Sequence, residues 1–410
     1  MREFNSLKSF ALPTELRLIL SCLRITPTGK EIRQIEELSR AKIAWPEFLA
    51  LVDRHRVAPL VYTNLKRFAG NTVPSAIISE LHSRFERNAH RSLANAAELV
   101  RLYKLFQENG IAFVPLKGSV LALQVYGNLA RRHAGDIDLL VEPGQVELAE
   151  RLLQINYRRV KPALQLSPSQ RRRFLKLMHH FEYLHDLDNL RVELHWRAMN
   201  SRTPQGLELT RLLSRGPKVA VAGSKLPGLS LPDNILYLCG HGACHGWFRL
   251  FWLADLAEIM RGHPEIDWQH LMTLAREAGM LTPLAQGVIL AHELLDVPLP
   301  EAIRTYALQE RVVSCSAAVA YRFILCPQPE QPPISLRLDR HLCNLRGANS
   351  FEDKLKTLQA IFTGRDWLTI RLPDPLFFLF YLLRLPLLLQ RRLAGSPKQI
   401  VPKKTRRQDD

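Results

Sequence analysis

The sequence predicts an α+β fold in which a small mixed sheet lies between helical N-terminal and C-terminal regions. Three observations point to it. Short apolar runs of strand length cluster between residues 111 and 231. The flanking stretches instead return apolar residues every three or four positions, the spacing of a buried helix face. The 410-residue length also exceeds one ordinary core of roughly 100–200 residues, which sets an expectation of several domains.

The N-terminal region, residues 1–95, reads as amphipathic helices punctuated by Pro27, Pro46, Pro59 and Pro74, prolines being common at helix starts and turns. A helix over 94–109 then stops at Asn109-Gly110, a frequent C-terminal signal. Residues 111–116 form a short strand, a helix runs from Gly118 to about Gly127, and 136–141 form the next strand. A helix at 146–153 and a strand at 157–160 follow. Residues 161–176 read as a polar, basic excursion, and strands at 180–186 and 190–196 come after it. Together 96–231 make the sheet domain, whose last part carries β-like pieces broken by Gly223, Pro227 and Gly228.

Residues 232–325 read as an all-helical domain, and the proline-rich stretch CPQPEQPP opens a segment of linker and C-terminal helices over 326–392. Within it 351–362 is helical, and 376–389 is the most apolar run of the chain. That run is shorter than the ~20 residues needed to cross a bilayer. It reads as a buried helix closing the helical domain; the alternative is a peripheral membrane contact through 376–392, with Arg391 and Arg392 near lipid headgroups. Residues 393–410 form a basic, disordered tail.

Composition narrows the class. A hydrophobic fraction of 47% fits a folded chain, and 56 Lys+Arg against 39 Asp+Glu give a net charge of +17. That excess favours polyanionic partners such as nucleotides, nucleic acid or anionic membrane without choosing among them. Six irregularly spaced cysteines argue against a disulfide framework and for a reducing, cytoplasmic setting. No secretory signal is read at the N-terminus.

The chemistry concentrates between Val114 and Trp196. Side chains alternate across a strand, so Asp136 and Asp138 share one face, and Glu193 shares a face with His195. Adjacent carboxylates repel, and a bound cation is the usual remedy. Gly118-Ser119, at a helix start, lets backbone amides approach phosphate oxygens.

With VPLKGS, GDIDLLV and RVELHW in that order, followed by HGACHGWFRL, Asp255 and a closing DW…LP…YLLR segment, the chain resembles the DNA polymerase-beta-like nucleotidyltransferase superfamily. More narrowly, it resembles a bacterial branch described as uncharacterised nucleotidyltransferases. The resemblance implies that the sheet domain is a nucleotidyltransferase catalytic domain, moving NMP from an NTP donor to a hydroxyl acceptor. The acceptor is a small molecule, a sugar or lipid intermediate, a protein or RNA. It further implies that Asp136, Asp138 and Glu193 bind two Mg2+ ions, with Mn2+ as a substitute, and that Glu193 is the nearest candidate general base. Gly118 and Ser119 would cradle the triphosphate, and Lys117 with Arg131 or Arg132 would neutralise it. The alternative from another class is an inactive basic protein that uses the same fold on a membrane or nucleic acid. His241 and His245 lack a second Cys/His pair at finger spacing, so they read as packing or substrate contacts rather than zinc ligands.

Overall fold

The computed structural model describes residues 12–163, 165–199, 206–329 and 331–347, with Leu376 and Leu379. The helix expected at 351–362 and the tail at 393–410 lie outside the described residues, as does the apolar run 376–389 apart from those two leucines.

Four helices open the described chain: α1 Thr14–Ser21, α2 Gly29–Ser39, α3 Trp45–His55 and α4 Ala58–Ala69. Thr28 and Glu31 close a capping box on α2, and prolines near the starts of α3 and α4 occupy positions whose amides have no helical partner. The next helix, α5, runs from Ser75–Glu108 and is far longer than the 94–109 expected. Ile77, Ile78, Leu81 and Phe85 give its first turns an apolar face, but Asn88, Ser92 and Asn95 point inwards at its middle and interrupt the apolar spacing where the two helical stretches join. The residue-95 boundary falls inside it.

The sheet domain follows as β1 Phe113–Pro115, α6 Ser119–Tyr126, β2 Ile137–Val141, α7 Val146–Leu153 and β3 Tyr157–Lys161. Then come α8 Pro168–Leu177, β4 His180–His185 and β5 Arg191–His195. Helix α8 replaces part of the excursion expected over 161–176. Ser167 and Gln170 cap it reciprocally, and Phe174 is its one buried residue, so no apolar stripe announces it. The helix α9 Leu209–Arg215 and the hairpin β6 Lys218–Val221 with β7 Ser224–Pro227 complete the domain.

The strands form a five-stranded sheet in the order β1-β2-β5-β4-β3, with β2 and β5 parallel and the other pairs antiparallel. The mixed sheet and its helical flanks are the expected α+β class. Alternation divides its faces. Leu139, Val141, Val192, Leu194, Phe181 and Tyr183 pack with the second half of α5 and with α7 in one core. The opposite face carries Asp138, Glu193, Glu182, His195 and His180.

That polar face looks towards a second helical block: α10 Leu231–Cys244, α11 Leu250–Gly262, α12 Trp268–Glu277, α13 Leu281–Leu295, α14 Glu301–Gln309, α15 Arg311–Leu325 and α16 Ile334–Arg346. Residues from α1–α4 and α10–α15 lie in one continuous apolar core, joined there by Val114, Leu116, Leu121 and Leu140. The N-terminal helices thus pack with the later helical block and with the sheet domain's edge. Among the described residues no helix is long and apolar enough to cross a membrane.

Candidate functional site

Strand register assembles the site. Parallel pairing of β2 with β5 sets Asp138 opposite Glu193, and antiparallel pairing of β5 with β4 sets Glu193 opposite Glu182. Next to this row of carboxylates lies a row of imidazoles, because the same pairing sets His180 opposite His195. One-residue slips would send every one of these side chains to the apolar face, so packing on α5 and α7 fixes the register of the polar groups as well.

Asp138 is fully buried. Its Oδ1 accepts from Lys117 Nζ at 2.7 Å and lies 3.4 Å from His195 Nε2, which is itself 3.1 Å from Glu193 Oε2. Asp138 Oδ2 is buried without a hydrogen-bond partner. Such an orphan acceptor costs about 1–3 kcal/mol, and more when it carries charge, which a cation would relieve. One ligand atom each from Asp138, Glu193 and His195 falls within 4.8 Å of the others, a fit for a divalent ion.

Asp136 stands one residue before β2 rather than on it, and it is outside that cluster of three. It still feels the cluster: burial, then the charges of Asp138 and Glu193, raise its carboxyl above the ordinary range. Glu193 moves the other way. Burial alone would raise it, yet the His195 hydrogen bond and the neighbouring His180 and Lys117 hold it well below the usual carboxylate range. Burial opposes charge on Lys117 and on His195 too. The surrounding acids outweigh it, Asp138 foremost for both, and both groups sit above their ordinary values.

The glycine turn is where it was expected. Gly118 caps α6 with φ 77° and ψ −134°, a region that side-chain-bearing residues rarely adopt. Ser119 begins the helix and, with Gly118, lines a small cavity completed by Ser92, Asn95, Arg132, His133 and Gly135. Arg131 lines a neighbouring cavity with Arg56 and His133.

Arg132 behaves differently from its neighbour. It is 4% exposed, and its Nε and Nη2 donate to both carboxylate oxygens of Asp255 at 2.8–3.0 Å. Tyr126 donates to the same carboxylate at 2.8 Å, and Phe251 lies 5.4 Å beneath the guanidinium. The donors that would bind phosphate are committed inside the protein, so Arg132 ties the 128–136 segment to α11.

Sequence reasoning overlooked His179, His180, Glu182 and Tyr237. His180 and Glu182 carry a readable signal: H-x-E in β4 and E-x-H in β5 both alternate onto one face. Tyr237 and His241 come from α10, with His245 capping it, and the charges of Lys117 and Glu193 reach all three. The glycines of HGACHGW explain the local fold, since a Cβ on Gly242 would meet the Trp247 ring at 2.5 Å.

The chain belongs to a family of uncharacterised nucleotidyltransferases, whose model matches residues 41–296. The matched span holds the sheet, the glycine turn and α10–α13. Nucleotidyl transfer, with an NTP as donor, is the reaction class that the family carries. No curated protein and no solved structure matches the chain.

Proposed function

We propose that this protein is a metal-dependent nucleotidyltransferase of polymerase-beta-like type, which moves NMP from an NTP to an acceptor hydroxyl. The observation that carries the reading is the orphaned, buried Asp138 Oδ2 beside Glu193 on the adjacent parallel strand, with Leu116 and Lys117, which lead into the glycine turn at a helix start, both donating to Asp138. Asp138 and Glu193 would hold the cation, joined by Asp136, whose raised carboxyl ionises fully once positive charge arrives. Two Mg2+ ions, or Mn2+ in their place, would neutralise the attacking and leaving oxygens.

The chain's own groups do the rest. The free amides at the start of α6 point at the triphosphate, with Gly118 allowing close approach and the Ser119 hydroxyl adding a donor. Lys117, already on Asp138, is the cation best placed to shift onto a phosphate oxygen. Arg131, at the rim, takes the outer phosphates, while Arg132 positions the segment that carries Arg131 and Asp136. Glu193, whose Oε2 lies 3.1 Å from His195 Nε2, is the nearest candidate to take the acceptor's proton.

The test is incubation of the purified chain with each α-labelled NTP, Mg2+ and a fractionated lysate. Label should move to one acceptor fraction and should not move with Asp138→Asn. Absence of Mg2+-dependent binding of every NTP would sink the proposal.

A further inference from the structure

A second cluster lies on the β4 side of Glu193 and shares His195 with the Asp138 group. The rings of His179, His180 and His195 have centroids 4.2, 4.9 and 5.3 Å apart, and one nitrogen from each lies within 4.8 Å of the others. His180 and His195 are 7% and 3% exposed, paired across β4 and β5. His179 Nε2 faces His180 Nδ1 at 2.8 Å. Yet Nδ1 of His179 and Nδ1 of His195 are both buried without a partner. Ordinary packing satisfies buried polar atoms, so two orphan nitrogens in one three-histidine cluster call for a ligand.

We propose that His179, His180 and His195 form a site for one divalent transition-metal ion of the nitrogen-preferring class, typified by Zn2+. The chemistry separates this ion from magnesium. Imidazole suits Zn2+, Cu2+, Ni2+ or Fe2+, whereas Mg2+ demands oxygen ligands in near-octahedral array. A fourth ligand is at hand, because His180, Glu182 and Glu193 also bring ligand atoms within 4.8 Å of one another. Three histidines and a carboxylate or water make a tetrahedral zinc-type set. The ion would pin the β4–β5 pair through both strands, and it holds whether or not the carboxylate site transfers nucleotides.

The experiment is titration of the chelator-treated full-length protein with Co2+, followed by visible absorption. One equivalent should bind with the intense bands of a four-coordinate ion. His179→Gln and His180→Gln should each weaken binding by at least about 10-fold, and His263→Gln, on the exposed surface, should leave it unchanged. X-ray absorption of the unmutated, Zn2+-loaded protein should show imidazole scattering, a readout that needs no variant to fold. An oxygen-only, six-coordinate spectrum, or equal Co2+ affinity in all three variants, overturns the proposal. Mg2+-dependent NTP binding, measured on the same preparation, reports the nucleotidyl reading separately.

Discussion

Asp138 meets two demands at once: one oxygen is held by Lys117 and the other faces nothing. Asp138→Asn keeps the volume and removes the charge. Transfer should fall by roughly 100-fold or more, the scale of losing a preorganised electrostatic contact, as read from single-turnover rates with labelled NTP. An undiminished rate would remove this carboxylate from the chemistry. Arg132 calls for the opposite expectation. Arg132→Met leaves Asp255 charged and buried at 0% exposure, which should cost about 3–5 kcal/mol of stability in urea unfolding. The double variant Arg132→Met with Asp255→Leu should recover most of that loss, since both charges go together. If the double variant regains stability yet loses NTP affinity as severely as a phosphate-ligand variant would, Arg132 touches the nucleotide after all.

At the scale of elements, α5 acts as the ruler for the loop that precedes β2. Asn88 donates to the carbonyls of Ala130 at 3.2 Å and Arg132 at 3.0 Å, and accepts from the amide of Ala134 at 2.9 Å; Asn95 donates to the Gly135 carbonyl at 2.8 Å. Asn88→Leu leaves three backbone groups without their partner. It should cost roughly 2–4 kcal/mol and raise KM for NTP, because Arg131 and Asp136 ride on that loop; unchanged KM would separate the loop from nucleotide binding. The same contacts explain what could be read from the chain alone. Strands β2 and β5 were legible because their alternation encodes both the apolar core and the carboxylates. The continuity of α5 across residue 94 was not, since a helix that turns Asn88, Ser92 and Asn95 inwards at its middle shows its logic only when the loop it binds is in place. Helix α8 was hidden for a related reason: Arg171, lying 5.5 Å over the Phe181 ring and paired with Glu150, covers its inner side where a leucine would have been recognisable. Pairing of β4 with β5 is that of a local hairpin turned over 186–190, but its register, and so the gathering of three histidines, is not dictated by alternation within each strand.

For the whole molecule, the shared core of α1–α4 and α10–α15 makes stability a collective property, and His55 reports on it. The ring is fully buried on α3, and neighbouring Arg54 ties that helix to the end of α15 and just beyond it by donating to the carbonyls of Ile324 at 2.9 Å and Cys326 at 3.0 Å. Burial, with the Arg54 charge, lowers the His55 pKa from 6.5 to about 3. Burial and four nearby arginines do the same to His133. In the unfolded chain both rings take up a proton near the ordinary value of about 6.5, so below that pH the unfolded state binds more protons than the folded one. Their contribution is therefore complete above about pH 6.5 and is lost as pH falls, at about 1.4 kcal/mol per pH unit for His55 alone, until the folded-state value is reached. Urea unfolding followed between about pH 7.5 and 4.5 should show this decline beginning before the carboxylates titrate. In His55→Gln the slope between about pH 6 and 5 should be shallower by close to one proton, even where the variant starts from a lower stability. An identical slope in the variant would mean that His55 is protonated in the folded state, and that the join between the N-terminal helices and the later helical block admits a charge where the structure leaves no room for one.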